Sequence, residues 1–240
     1  MGLFKSAIGD AFMTSMWVFS LPVTRVITSI LAAYLGIQIR SLPGLFASTI
    51  LATFKLLTFM FIGKIMGGAN FNPSTSVSFY AAGLRPDASP ISLAVRLPAQ
   101  AAGAVAGVQA ILKLMPENYR DVLRGPSLKV DLHSGAIAEG LLTFLFCFGI
   151  HFVMRKGPKS LMVQIWLVSW STAGLVIAGS GYTGPSMNPA NAFGWAYVNN
   201  MHNTWQQFYV YWISPCLGAV LAGLVVRVLF DKPVTKQKQS

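Results

Sequence analysis

Charged residues are scarce in this chain, and acidic residues are the scarcest. Only 18 Lys and Arg and 7 Asp and Glu occur among 240 residues, so the charged share is 10%. Soluble globular domains carry about 25% charged residues, and a chain this poor in charge is typical of an integral membrane protein. The net charge is +11. Nucleic-acid binding is nevertheless not indicated, because no soluble fold is available on which basic residues could form a binding face.

Cysteine and histidine are also few. Cys147 and Cys216 both lie in apolar segments, where free buried thiols are the usual state, so neither a disulfide nor a metal site is expected. His133, His151 and His202 have no metal-ligand spacing, and we expect them at the surface or at span ends. No nucleophile arrangement, metal cluster or phosphate-binding loop is recognisable, so the sequence predicts a protein that is not an enzyme and needs no cofactor.

Long apolar runs, by contrast, fill most of the chain. Six of them reach the roughly 20 residues that cross about 30 Å of hydrocarbon. They cover approximately 8–33, 44–63, 90–114, 135–156, 161–180 and 206–230. The polar interruptions are short, which predicts one membrane domain over 1–240 with a basic tail at 231–240. The first run begins near Met1 and has no small-residue cleavage site, so we interpret it as the first span.

The distribution of lysine and arginine predicts the orientation. Cytoplasmic loops carry an excess of these residues. Six spans place both termini on one side, and the larger share of the basic residues falls on that side, the tail included. Both termini are therefore predicted to be cytoplasmic.

Two short motifs interrupt the apolar pattern: Asn72-Pro73-Ser74 and Asn188-Pro189-Ala190. Proline is tolerated in the first turn of a helix, and the preceding asparagine is a favoured N-cap. About ten helix-compatible residues follow each motif, which is half of a bilayer at 1.5 Å per residue. Two such half-helices entering from opposite faces would meet at the centre. Their asparagine amides and positive helix ends would face one lumen and oppose the passage of cations and protons.

An internal repeat relates the two motifs. Asp10 and Thr14 match Glu139 and Thr143 at the start of a span, and each half has three spans with one break after its second span. An odd number of spans inverts the second half, roughly 130–230, relative to the first, roughly 1–115, with the functional site expected at the midplane. We expect Asp10 and Glu139 to accept hydrogen bonds from the backbone that leads into each half-helix; the alternative is a carboxylate near the lipid headgroups.

These residues resemble the aquaporins, the major intrinsic proteins. The resemblance rests on three features: the loops Gly68–Pro73 and Tyr182–Ala190, the acid-x-x-x-Thr pairs, and Ala99-Gln100 with Gly103-Ala104 in span three. It implies an all-α integral membrane fold of six transmembrane helices plus two re-entrant half-helices in an inverted repeat. It also implies a passive channel for water, with small neutral solutes as further candidates, that forms a homotetramer in the lipid bilayer with one pore per subunit. In its excess of basic residues and its altered loops, the chain is most similar to the plant small basic intrinsic proteins.

The resemblance also assigns pore residues. The pore centre would consist of both motifs, Asn72, Pro73, Ser74, Asn188, Pro189 and Ala190. Most aquaporins have arginine after the second motif, in the outer constriction, whereas this chain has Asn191. The other constriction positions would be Leu51 (to within about one residue of the alignment), Val176 and Pro185. We therefore expect a constriction without a fixed cation.

Two other functions stay open. A non-transport membrane scaffold or interaction protein could keep this fold after its constriction changed. An ion-coupled secondary transporter also uses inverted repeats and broken helices, although the only span acids here are the repeat-related Asp10 and Glu139. Lys55 and Arg96 are cations inside predicted spans. We expect Arg96 to snorkel, and for Lys55 both snorkelling and a pore or helix contact remain open.

The tail carries Lys236 and Lys238, at the third and fifth positions from the end. This spacing resembles a dilysine retrieval signal, and the alternative is a basic tail that binds lipid headgroups. Because the small basic intrinsic proteins are associated with the endoplasmic reticulum, the sequence predicts a multi-pass protein of that membrane.

Overall fold

The computed structural model describes residues 2–85 and 88–230; the predicted signal at Lys236 and Lys238 lies outside them. Every regular element in this described part is a helix. Six helices are long and apolar enough to cross a membrane, which confirms the six predicted spans. They are α1 (Leu3–Tyr34), α2 (Leu42–Ile65), α4 (Pro90–Leu114), α5 (Leu132–Lys156), α6 (Leu161–Gly179) and α8 (Trp205–Phe230). Two half-helices, α3 (Pro73–Ala81) and α7 (Pro189–Val198), and a short 3₁₀ helix at Glu117–Val122 complete the set.

Local capping explains why several helices begin where they do. The Ser41 hydroxyl accepts a hydrogen bond from the Gly44 N–H at the start of α2, and Ser89 and Ser92 form a reciprocal capping box at the start of α4. Asp131 accepts from the N–H groups of His133 and Ser134 at the start of α5. Hydrogen bonds from Ser134 and then His133 lower the pKa of the Asp131 carboxyl, because they favour its charged form. Since caps begin α2 and α5, these helices start two to three residues before the predicted spans.

The helix α8 is not regular throughout. Its segment Tyr209–Ile213 is a π-helix, and Pro215 follows two residues after this segment. Proline lacks an N–H and its ring collides with the carbonyl of the preceding turn, so a wider turn before it relieves the clash.

Close backbone approaches bring the helices together in a pattern that repeats. In the first half α1 packs on α4, and in the second half α5 packs on α8. Each half-helix packs on the last long helix of the other half, α3 on α8 and α7 on α4. Glycines stand at these crossings, Gly103 in the first pair and Gly218 in the second, with Gly223 and Gly194 beside the half-helices. Small residues allow such approaches in membranes, where no hydrophobic force drives helices together.

We predict that Gly103→Ala weakens the α1–α4 crossing. A Cβ at this position would overlap the Ala11 carbonyl oxygen, and helix backbones cannot yield as a flexible side chain does. The expected loss is about 1–3 kcal/mol, measured as a lower thermal transition temperature in detergent. Gly174→Ala is the matched control, since nothing lies within 4 Å of the place that its new Cβ would occupy. Equal transition temperatures for the two variants would contradict the prediction.

Candidate functional site

The two half-helices start in the same way, each from an asparagine that caps its own helix. The Asn72 side-chain oxygen accepts from the Ser74 N–H at 2.8 Å. The Asn188 oxygen accepts from the N–H groups of Ala190 at 3.1 Å and Asn191 at 3.3 Å. Both asparagines have extended backbones and are followed directly by proline. The caps therefore fix the direction of each amide, because the oxygen is committed to the helix and the nitrogen must point away from it.

Each asparagine amide crosses to the loop of the other half. Asn72 Nδ2 donates to the Met187 carbonyl at 3.0 Å, and Asn188 Nδ2 donates to the Phe71 carbonyl, also at 3.0 Å. Phe71 and Met187 are the residues immediately before the two asparagines, so the bonds are equivalent under the repeat. An NH₂ group has two hydrogens, and one of them on each side is used here. The predicted donation of both amides into one lumen therefore concerns the second hydrogen of each amide.

Asp10 anchors the loop that precedes α3. Its two oxygens accept from Arg96 Nε and Nη2, each at 2.7 Å, from Gln100 Nε2 at 2.8 Å, and from the Asn70 N–H at 2.8 Å. Asp10 is fully buried, and Arg96 is 5% exposed. Arg96 Nη2 also donates to the Gly68 carbonyl at 3.2 Å. The expectation that Arg96 snorkels was wrong, because it forms a bidentate buried ion pair. A sequence signal existed: Arg96 and Gln100 lie four residues apart, on one face of α4.

Glu139 holds the loop that precedes α7 but has different partners. Its Oε1 accepts from the Thr183 hydroxyl at 2.9 Å and the Ser186 N–H at 2.8 Å, and its Oε2 accepts from the Met187 N–H at 3.1 Å. Glu139 is fully buried. Within the residues that the structure describes, no cation lies within 4 Å of it. The two repeat-related carboxylates thus differ in charge balance, since only Asp10 is neutralised by a cation.

The residues assigned to the outer constriction lie on separate elements. Asn191, in the first turn of α7, is 8% exposed, and its Nδ2 donates to the Ser186 hydroxyl at 3.2 Å. Its Oδ1 is buried and has no hydrogen-bond partner among the described residues. Leu51 is half-buried on α2, Val176 is 42% exposed on α6, and Pro185 lies in the loop against the end of α6. Of these four residues, Asn191 is joined to the half-helix junction by hydrogen bonds with Ser186 and Asn188.

The remaining residues of the two motifs are buried. Pro73 and Pro189 occupy the first positions of their half-helices, and Ala190 is fully buried in a cluster with Val18 and Trp195. Ser74 is also fully buried, and its hydroxyl makes no hydrogen bond with the described residues. The exchange of alanine for serine in the first motif therefore leaves a polar atom without a partner in the described part of the chain.

The structure also decides the contacts of Lys55 and His151, which could not be assigned from the sequence. Lys55 Nζ lies 4.7 Å from the centre of the Trp17 ring, and Trp17 stacks on Phe71 with ring centres 4.2 Å apart. Lys55 therefore makes a helix contact instead of snorkelling. His151, expected at a surface or span end, is 1% exposed, and its Nε2 lies 2.7 Å from the Ser78 hydroxyl of α3. That expectation was wrong because His151 is on the face of α5 that turns toward α3.

Comparisons with known proteins fit this geometry. The family model of the major intrinsic proteins matches residues 2–226. Curated relatives include aquaporin SIP1-1 of Oryza sativa subsp. japonica, 49% identical over 98% of this chain and 96% of the relative. Aquaporin SIP1-1 of Arabidopsis thaliana is 44% identical over 100% of this chain and 98% of the relative, and aquaporin SIP2-1 of Zea mays is 32% identical over 97% and 90%.

A solved structure has the same fold. The aquaglyceroporin from Plasmodium falciparum superposes with a TM-score of 0.69 at 16% sequence identity, over 95% of this chain and 98% of that one. At this identity the likeness concerns the fold alone. With a family match over nearly its whole length and the paired half-helices in place, the chain belongs to the major intrinsic protein family, and its relatives include the small basic intrinsic proteins of plants.

Proposed function

We propose that this chain is a passive membrane channel for water, with small neutral solutes as further candidates. The observation that carries the proposal is the junction at which Asn72 and Asn188 each cap one half-helix and donate to the loop of the other. Irregular backbone at membrane depth is tolerated where it lies against protein or lines a water-filled cavity. The names of the relatives, which are aquaporins, support the same function.

The junction suits a neutral solute better than a cation. Both half-helices direct the positive ends of their dipoles toward the junction, and each asparagine keeps one N–H that can donate to a water oxygen. The asparagine N–H groups bind the oxygen of water, and together with the positive helix ends they repel a proton or a metal cation. We infer that Asn72, Pro73, Ser74, Asn188, Pro189 and Ala190 form the centre of the pore.

The outer constriction would then be neutral. Asn191 brings an uncharged amide whose Nδ2 donates to the Ser186 hydroxyl, so it adds a neutral polar group to the ring. Leu51, Val176 and Pro185 would complete the ring with apolar atoms. We infer that this constriction selects by size and hydrogen bonding, because none of its four residues carries a charge.

Ion coupling is disfavoured by the same contacts. A coupled transporter needs carboxylates or carbonyls that bind and release the driving ion. Asp10 is occupied by Arg96, Gln100 and the Asn70 N–H, and both Glu139 oxygens accept internal donors. These two acids instead support the loops.

We further propose a homotetramer with one pore per subunit, both termini in the cytoplasm, and residence in the endoplasmic reticulum.

The first test is water permeability. Proteoliposomes with the wild-type protein should shrink faster than empty liposomes in stopped-flow light scattering, and Asn188→Asp should abolish the difference. The substitution places a carboxylate against the Phe71 carbonyl that now accepts from Asn188 and adds a charge at the midplane. Asn199→Asp is the matched control, since Asn199 also donates to a carbonyl but is exposed at the end of α7.

The outcomes separate the functions. Wild-type liposomes that shrink no faster than empty ones would refute the channel and favour the scaffold. Full permeability of a folded Asn188→Asp variant would show that Asn188 does not line the path.

The role of Asp10 as a loop support predicts a stability difference. Arg96→Met leaves the buried carboxylate uncompensated, and breaking such a pair costs about 3–5 kcal/mol. The double variant Asp10→Asn with Arg96→Met should recover part of this loss, because no buried charge remains. Thermal unfolding in detergent measures both. Arg227→Met, in the exposed last turn of α8, should stay within about 0.5 kcal/mol of wild type. A double variant no more stable than Arg96→Met would contradict the electrostatic explanation.

The tail predicts location. Replacing Lys236 and Lys238 together by alanine should release a fluorescent fusion of the protein from the endoplasmic reticulum to later membranes. Replacing Gln237 and Gln239 by alanine is the control and should leave the location unchanged. Unchanged location of the lysine variant would eliminate the retrieval signal and leave the basic tail as a headgroup-binding segment.

A further inference from the structure

Lys55 is a cation in the middle of a membrane-spanning helix. It lies ten residues before the end of α2 at Ile65, or about 15 Å from that end at 1.5 Å per residue. The other end is farther away. A lysine side chain cannot reach a headgroup from this depth by snorkelling along its own helix, so the ammonium must be accommodated within the protein.

The direction of the side chain is inward. Its Nζ lies 4.7 Å from the centre of the Trp17 ring of α1. Phe59, four residues later and therefore on the same face of α2, meets the same Trp17 ring edge-to-face at 5.1 Å and is 5% exposed. The adjacent Phe54 is 56% exposed and marks the lipid side of the helix.

Trp17 connects the ammonium to the junction. Its ring stacks on Phe71 with 4.2 Å between centres and 20° between planes. The Phe71 carbonyl is the acceptor for Asn188 Nδ2. Leu51, assigned to the outer constriction, is four residues before Lys55 and shares its face of α2. Lys55 thus lies one helical turn from the constriction position, and the rings of Trp17 and Phe71 connect it to the central asparagines.

The Lys55 ammonium has no acceptor in the part of the chain that the structure describes. Among the residues that the structure describes, it makes no hydrogen bond and no carboxylate lies within 4 Å of it. An ammonium has three donors, and one cation–π contact offsets only part of the cost of removing it from water. The side chain is nevertheless partly exposed. Contact with water on the inner face of α2 is the remaining way to satisfy it, and an inner water-filled space is what the proposed channel provides.

We propose that Lys55 lines the water path beside the half-helix junction and is a specificity-determining residue, whose charge excludes protons and other cations. This inference rests on the proposed channel function. The neutral Asn191 leaves the outer constriction without a charge, and Lys55 supplies a fixed cation deeper in the path. It adds to the field of the two helix ends, which has the same sign.

Accessibility tests the position of the side chain. In Lys55→Cys proteoliposomes, 2-aminoethyl methanethiosulfonate should modify the new thiol and change the water permeability, because thiols react as thiolates that form only where water reaches them. Phe54→Cys is the matched control at the same depth on the lipid side and should react far more slowly. Wild type, which contains Cys147 and Cys216, measures the background.

Charge exchange tests the selectivity. Lys55→Met should raise the proton permeability, followed with a trapped pH-sensitive dye, by about tenfold or more, since a unit charge a few Å from the path is a strong barrier at the dielectric of a protein interior. Lys55→Arg should behave as wild type. Lys55→Cys should leak protons like Lys55→Met until the aminoethyl reagent restores an ammonium. Circular dichroism and size-exclusion chromatography confirm that each variant is folded.

The results distinguish the inference from the function on which it rests. Wild-type liposomes that shrink no faster than empty ones would reject the channel itself. If wild type conducts water but Lys55→Cys reacts no faster than Phe54→Cys, the side chain at position 55 lies outside the path. Equal proton permeability of Lys55→Met, Lys55→Arg and wild type would remove its role in selectivity.

Discussion

The structure depends on one constraint: the chain leaves regular helix twice at membrane depth, where lipid offers no hydrogen bonds to the backbone. Each unsatisfied group in hydrocarbon costs several kcal/mol. In this chain a carboxylate accepts hydrogen bonds from each loop, and an asparagine caps each half-helix. The two loops then satisfy each other, because each asparagine donates to the residue before the opposite asparagine. Neither half could close its own break without the other.

The two carboxylates show how a repeat can keep geometry while changing charge. Asp10 is paired with Arg96, whereas Glu139 accepts only neutral donors among the described residues. A buried carboxylate without a cation depends entirely on the number and direction of its hydrogen bonds. The backbone of the second loop meets that need through Ser186 and Met187, and Met187 adopts a left-handed φ of 48° that a non-glycine residue rarely takes. Two hydrogen bonds fix this strained residue. The N–H of Met187 donates to Glu139, and its carbonyl accepts from Asn72.

Close packing holds the breaks at their depth. The half-helices are too short to be anchored by their own length, and each is held against a long helix of the other half through a glycine, Gly223 for α3 and Gly194 for α7. A helix of nine or ten residues is marginal alone, so the position of each asparagine follows from the helix on which its own half-helix packs.

The sequence by itself determined the spans, the half-helices and their caps, since hydrophobic length and the Asn-Pro start are local properties that act over one helix. It also related Asp10 to Glu139, because an internal repeat is visible in the residues alone. Only the tertiary structure decided that Arg96 neutralises Asp10, that His151 meets Ser78, and that Lys55 turns toward Trp17. These facts depend on which face of a helix meets which neighbour. A nearly uniform apolar span hides that choice, because lipid and protein interior favour the same residue types.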